Sequence, residues 1–393
     1  MKTLKSDWST GLKRLLFLAL VVGLAAGALG LPEGGAWAQT NDRSVEPHMP
    51  TVGNVPGESQ GNTSDSEIWR AVRGGIQGSV SIPDKQAGVL VQSEGDNWRA
   101  WRNGPITVAG IWIVAGMVGL LALFFAIRGR IRIEAGASGR TIERFNAVDR
   151  FAHWLTASCF IVLALTGLNM LYGKHVLLPV LGPEAFSAIS LAGKYAHNYL
   201  AFGFMIGVVL MFVLWVRHNI PNKYDLHWIA EAGGLFSKGV HPPSRKFNAG
   251  QKFIFWSLMI GGTSLAVSGI ALLFPFQIAL FQPTFQAMNA IGFNLPTDLT
   301  MMEEMQLSQI WHGIVGLIMI AIILAHIYIG SMGMEGAFDA MGTGYVDENW
   351  AREHHNVWVA ELKGEPIPDP DDPHPGATPV SYTHLTLPTT SRV

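Results

Sequence analysis

Residues 307–330 read LSQIWHGIVGLIMIAIILAHIYIG. The run contains no Asp, Glu, Lys or Arg and exceeds the roughly 20 apolar residues a helix needs to cross a bilayer. It nevertheless carries two histidines, His312 and His326. An imidazole in hydrocarbon must find a partner, so an ionisable side chain at that depth marks a function. On an α-helix their fourteen-residue spacing rises about 21 Å and stops about 40° short of four full turns. The two rings therefore share a face and lie near opposite membrane surfaces.

The remainder of the chain has the same character. Of 393 residues, 49% are hydrophobic and 14% charged, which is too apolar for an ordinary soluble protein of this length. A net charge of -2 gives no grip on nucleic acid. The single cysteine, Cys159, cannot form an internal disulfide, a thiolate iron-sulfur cluster or a CxxCH haem attachment. Any redox cofactor must use other ligands, and thirteen histidines are available.

Residues 1–38 begin with Lys2, Lys5, Lys13 and Arg14, continue through LLFLALVVGLAAGALG and end at AWA, the pattern of a signal peptide cleaved after Ala38. An uncleaved anchor helix is the competing reading. Residues 39–104 form an exported arm. Its first part, to residue 67, has the Asn, Ser, Gly and Pro content of disorder. Its second part, with GSVSIPDKQAGVLVQ and NWRAWRNG, suits a hairpin or a docking segment. Five further stretches meet the spanning criterion: Ile106–Ile127, Phe151–Tyr172, Tyr195–Val216, Phe253–Phe274 and Ile310–Met332. The first defines an extra transmembrane helix at 105–128, and the other four fall in a domain at 144–361. The tail, 362–393, reads as disorder, and its end, SYTHLTLPTTSRV, as a cloning or assembly scar.

Lys and Arg fix the orientation. The connections 128–150 and 217–252 each carry six, whereas 173–194 carries Lys174 and Lys194 only and 275–309 none. Under the positive-inside rule the mature N-terminus is outside and the C-terminus inside, as the signal peptide requires.

That orientation sets the depth of four histidines. His153 in RFAHW lies at the inner end of its span and His197 in KYAHNYLAFG at the outer end of the next. His312 is then outer and His326 inner. Depth pairs His197 with His312 and His153 with His326, one pair near each surface. Two imidazoles without Cys, Asp or Glu at matching depth are too few for tetrahedral zinc. They suffice for haem, whose macrocycle supplies the other four ligands. A single membrane histidine is often only an interhelical hydrogen-bonding group; four in matched pairs point to two haems b. Gly167, Gly203, Gly207, Gly313 and Gly316 would admit a flat macrocycle. Trp154, Trp215, Trp228, Trp256 and Trp311 read as an interfacial belt. His218, His227, His241, His354 and His355 read as solvated or subunit-facing. The fold expected is an all-α integral membrane protein, a four-helix di-haem bundle with one extra N-terminal helix.

From about Arg144 to Glu361 the chain resembles the cytochrome b556 gamma subunits of membrane-bound formate dehydrogenases, through RFAHW, RHNIPNK, KFNAGQK, WHGIVG and AHIYIG. The paired inner-loop motifs HNIPNK and NAGQK are the specific part. The resemblance implies an inner-membrane subunit that joins an iron-sulfur beta subunit and a pterin-containing alpha subunit, with formate oxidised on the latter. It implies that His197 and His312 hold an outer haem fed by the periplasmic iron-sulfur subunit, and His153 and His326 an inner one. A quinone would bind beside the inner haem, near Asn248, Gln251 and His326. A capping role for Asn248 at the helix that follows is the alternative. Rival readings are the cytochrome b subunit of a nickel-iron hydrogenase, nitrate reductase or other quinone-linked oxidoreductase. From another class come a haem-free membrane anchor and a histidine-lined transporter, which would pair buried acids with the histidines.

Overall fold

A computed structural model describes residues 93–368. The predicted signal peptide, the arm before residue 93 and the tail from residue 369 lie outside the described residues. Among the described residues, five helices are long and apolar enough to cross a membrane: α1 (Asn97–Arg128), α2 (Ala147–Val176), α3 (Leu178–His218), α4 (Ala249–Leu273) and α5 (Met301–Gly333). Each is longer than its apolar run. In α1, α2 and α5 the surplus includes polar turns, which hydropathy does not register but backbone hydrogen bonding favours, and in α3 it is mainly the segment 178–194.

Three of these helices begin with reciprocal caps. At the start of α2, Asn146 accepts from the Asp149 amide at 2.9 Å while Asp149 accepts from the Asn146 amide at 3.2 Å. Asn248 and Gln251 do the same for α4, at 2.9 and 3.1 Å, and Thr300 and Glu303 for α5. Each box satisfies first-turn N–H groups that have no intrahelical acceptor. Helix α3 instead contains a break at Gly182 (φ 76°), followed by Pro183, so its regular part begins only after that pair. NWRAWRNG, residues 97–104, opens α1 as helix and enters a π-turn at Arg102–Ile106 that holds Pro105, so this part of the segment is not a hairpin strand; GSVSIPDKQAGVLVQ lies outside the described residues.

The described chain forms two compact units, and each spanning helix contributes residues to both. Unit 1 comprises the described residues up to Met117 with Val162–Ala201 and Ser264–Ala321. In it α1 approaches α2 and α5 at Gly110, where an added Cβ would collide with the Tyr172 hydroxyl and with Leu317. The Tyr172 hydroxyl donates to the Thr107 carbonyl at 2.9 Å. Glu304, 1% exposed, accepts from the amides of Leu280, Phe281 and Gln282, holding the connection before α5 onto that helix.

Unit 2 comprises Val118–Ile161, Phe202–Thr263 and the described residues from Ile322 onward. Here α2 and α3 pack closely through Gly203 against Cys159 and Gly207 against Thr156. In lipid, where apolar burial drives little, such small-residue contacts hold helices together. Gly203 and Gly207 thus serve helix packing and are not open to a macrocycle. Trp215, expected in the interfacial belt, is 4% exposed and donates to Asp149 at 2.7 Å. A polar cap completes the unit. Its strands β1 (Thr141–Glu143) and β2 (Tyr345–Asp347) pair antiparallel, with Ile142 opposite Val346. Arg144, 2% exposed, has no carboxylate partner among the described residues. It lies over the rings of Phe145, Trp350 and Trp358 at 5.3, 5.4 and 5.1 Å and meets His355 Nε2 at 3.0 Å. Ring faces replace a counter-ion here, and burial lowers the guanidinium to about 9. His355 is 1% exposed, so it is part of this core and not a solvated tail residue.

Candidate functional site

In unit 1, His197 of α3 and His312 of α5 face each other with ring centroids 6.2 Å apart. A hydroxyl stands behind each ring. Thr166 of α2 donates to the Val162 carbonyl at 2.8 Å, and Ser268 of α4 to the Ser264 carbonyl, also at 2.8 Å. With their protons so used, both hydroxyls accept from imidazole Nδ1–H, at 2.8 Å for His197 and 2.9 Å for His312. This selects the tautomer whose Nε2 carries the free lone pair. The next residue in each case is glycine. A Cβ at Gly167 would lie 3.7 Å from His197 Cε1, and one at Gly269 only 3.3 Å from His312 Cε1. Each imidazole therefore rests on a hydroxyl–glycine pair from a neighbouring helix.

In unit 2, His153 of α2 and His326 of α5 repeat the arrangement, with centroids 6.1 Å apart. No hydroxyl stands behind them among the described residues. His153 Nδ1 is buried without a hydrogen-bond partner, and the Trp154 ring meets His153 edge-on at 5.2 Å.

The donor set fits one kind of cofactor. With metal–imidazole bonds of about 2 Å, two imidazoles on opposite sides of one ion place their centroids about 6 Å apart, close to both observed separations. No cluster of three or more His, Cys, Asp or Glu suited to a metal exists among the described residues, so such an ion must bring its remaining ligands. A macrocycle does so. A Cβ at Gly313, beside His312, would meet no atom within 4 Å, leaving room for a flat ring. The buried acids belong elsewhere: Asp149 pairs with Trp215, Glu304 with backbone amides and Glu348 with Arg352 and Lys363. A histidine-lined transporter would couple such acids to the imidazoles, and among the described residues no buried acid meets any of these four histidines.

The HNIPNK and NAGQK motifs dock on each other within unit 2. Lys252 Nζ donates to the Ile220 carbonyl at 3.1 Å and pairs with Asp225 at 2.8 Å, and Trp256 donates to the Asn219 carbonyl at 2.9 Å. Lys252 is 4% exposed, so that ion pair is buried and breaking it on one side would leave a bare charge, at a cost of about 3 kcal/mol or more. The side-chain oxygens of Asn248 and Gln251 are taken by the cap of α4, which leaves their amide nitrogens as donors. Thr166, Ser268 and Gly269 escaped the sequence reading; a Ser/Thr–Gly pair inside an apolar run was the signal that could have found them.

Apolar spans carrying two opposed imidazole pairs, with no third protein ligand, define a multi-pass membrane cytochrome of the b type. The sequence model of the prokaryotic cytochrome b561 family matches residues 144–344, and the chain belongs to that family. All four histidines fall inside this range, and α1 precedes it. The chain is 27% identical over 229 residues to the nitrate-inducible formate dehydrogenase cytochrome b556(Fdn) subunit of Escherichia coli (strain K12), covering 58% of this chain and 94% of that one. It is 27% identical over 224 residues to the formate dehydrogenase cytochrome b556(fdo) subunit of the same strain, covering 57% and 94%. With the formate dehydrogenase cytochrome b556 subunit of Haemophilus influenzae it shares 24% identity over 234 residues, covering 58% and 87%.

Proposed function

We propose that this chain is the cytochrome b subunit of a formate dehydrogenase complex of a bacterial inner membrane. It anchors an iron-sulfur subunit and a pterin-containing catalytic subunit and conducts their electrons to a membrane quinone. The observation that carries this reading is the pair of matched histidine sites, ring centroids 6.2 and 6.1 Å apart, in a chain whose relatives bear formate dehydrogenase names. His197 and His312 would hold one haem b on the outer side, and His153 and His326 a second on the inner side. Bound haem b supplies reversible one-electron chemistry at iron.

The protein's own contributions are positional and electrostatic. Thr166 and Ser268 hold the outer imidazoles in one tautomer. On the inner side, a quinone would bind beside His326, its carbonyl meeting the amide nitrogens of Asn248 and Gln251, since a carbonyl needs donors as it gains electrons; His153 Nδ1, buried and without a partner, is a further uncommitted group there. Protons would come from the basic, water-facing cap. Moving each electron inward against an inside-negative potential costs about 2.3 kcal/mol per 100 mV, so quinone reduction on that side separates charge across the membrane.

The test is a reduced-minus-oxidised spectrum of the purified complex, with haem counted per chain. Two haems b per chain, reducible by formate through the co-purifying subunits, are expected. A haem-free chain would sink the reading, and co-purification with a hydrogenase would transfer it to that rival. A periplasm-dependent reporter fused after Gly292 should be active and one fused after Gly234 silent; the opposite result would invert the assignment of outer and inner sites.

A further inference from the structure

The segment leaving α1 helps to build a cavity of about 330 Å³ in unit 2, and its part of the wall precedes the range matched by the family. Ile131, 8% exposed, is bridged to Met334: its amide donates to the Gly333 carbonyl and its carbonyl accepts from Glu335, both at 2.8 Å. In extended chain, neighbours of a buried residue point to the opposite face. Arg130 and Arg132 accordingly project together, both exposed, and with Lys238 they line the cavity. None of the three has an ion pair or hydrogen-bond partner among the described residues.

The other charged groups in the wall are already engaged. Arg128 donates to the carbonyls of Leu235 at 2.9 Å and Ser237 at 3.4 Å. Glu134 accepts from the Gly239 amide at 2.7 Å and meets His241 Nε2 at 3.2 Å; the Gly239 bond, then His241, hold its carboxyl below the usual range. His354 also lines the cavity, and its buried Nε2 lacks a hydrogen-bond partner. Burial lowers His354 to about 4, so at neutral pH it is an uncharged imidazole. Three uncompensated cations, a half-buried neutral imidazole with an unpaired, buried Nε2 and no uncommitted acid are the groups that receive a phosphate oxyanion.

We propose that this cavity binds the phosphate of an anionic phosphate ester. Two sources share that chemistry, a phosphatidylglycerol-type lipid headgroup and a soluble phosphate. Arg128 ends a membrane span, which sets the cavity at headgroup depth, where clustered Lys and Arg attract anionic lipid.

The experiment uses the full chain in phosphatidylcholine nanodiscs, with binding read by native mass spectrometry and phosphorus NMR and folding by the haem spectrum. Added phosphatidylglycerol should bind saturably, and the variant Arg130→Gln, Arg132→Gln, Lys238→Gln should bind it more than about tenfold more weakly, at roughly 1 kcal/mol per cation. Saturable binding of inorganic phosphate in pure phosphatidylcholine discs, lost in the same variant, would identify the soluble ester as the source. His354→Phe should weaken binding several-fold and His354→Gln, which keeps a donor, much less. Should the triple variant misfold, Lys238→Gln alone is read instead and should bind several-fold more weakly. A wild-type chain that binds neither probe, or equal binding by wild type and a folded variant, overturns the proposal.

Discussion

The two histidine pairs have nearly the same spacing and different surroundings. In unit 1 both rings are tied through Nδ1 to hydroxyls of neighbouring helices; in unit 2 His153 Nδ1 has no partner. Ring separation follows from which helices face each other, so four histidines on α2, α3 and α5 suffice to set it. The hydrogen bond behind each ring is a separate choice, made by a third helix. The difference teaches that holding a cofactor and fixing the imidazole are separable tasks. Under the proposed function, the pair with fixed rings would be the conduit and the pair with a spare nitrogen would lie where the quinone is met.

The largest expected effect tests the separateness of the pairs. His312→Ala and His197→Ala should each lower the haem count from two to one per chain and abolish reduction by formate. His326→Ala and His153→Ala should also leave one haem, but that haem should remain formate-reducible while quinone reduction stops. Any of the four that retains both haems with unchanged spectra breaks the comparison. Next in size is the hydroxyl backing. Thr166→Val and Ser268→Ala should weaken haem retention in unit 1 by about 10- to 100-fold and shift the potential of one haem only, as read by redox titration. A shift of both, or of the other, would show that the hydroxyls are helix packing alone.

A smaller effect separates the two roles of Asn248. Asn248→Ala should cost about 1 kcal/mol through loss of the helix cap and slow quinone reduction. Asn248→Asp keeps a capping oxygen without the amide donor, so stability should hold while quinone reduction slows. Equal rates in the wild type and Asn248→Asp would limit Asn248 to capping. The smallest effect is in the cap of unit 2. His354 is lowered to about 4 by burial, while in the unfolded chain it titrates near about 6.5. Its contribution is therefore complete above that unfolded value and is lost as pH falls toward the folded one. Protection factors across residues 348–363, corrected for the pH dependence of intrinsic amide exchange, should fall through this window, with a smaller fall in unit 1.

The five spans and the two histidine pairings could be read in the sequence, because an apolar run and a fourteen-residue spacing are local properties. The α4 cap at Asn248 was read as an alternative and is present, whereas those of α2 and α5 were legible only in principle as NAVD and TMME, where hydropathy favoured shorter helices. Thr166 and Ser268 were not read, since a hydroxyl in an apolar helix usually bonds its own backbone and only its neighbours reveal a second duty. Trp215 and His355 looked like surface groups for a related reason. Burial in the cap is created by segments more than a hundred residues apart, around an arginine whose partners are ring faces rather than an acid.

The reciprocal caps of α2, α4 and α5 also bear on biogenesis. A helix that closes its own first turn with side chains three residues apart needs no neighbour to satisfy those two amides, and unsatisfied backbone groups cost several kcal/mol each in lipid. These three spans therefore carry part of their own first-turn satisfaction into the bilayer, whereas helix α3 has the Gly182–Pro183 break in place of such a box.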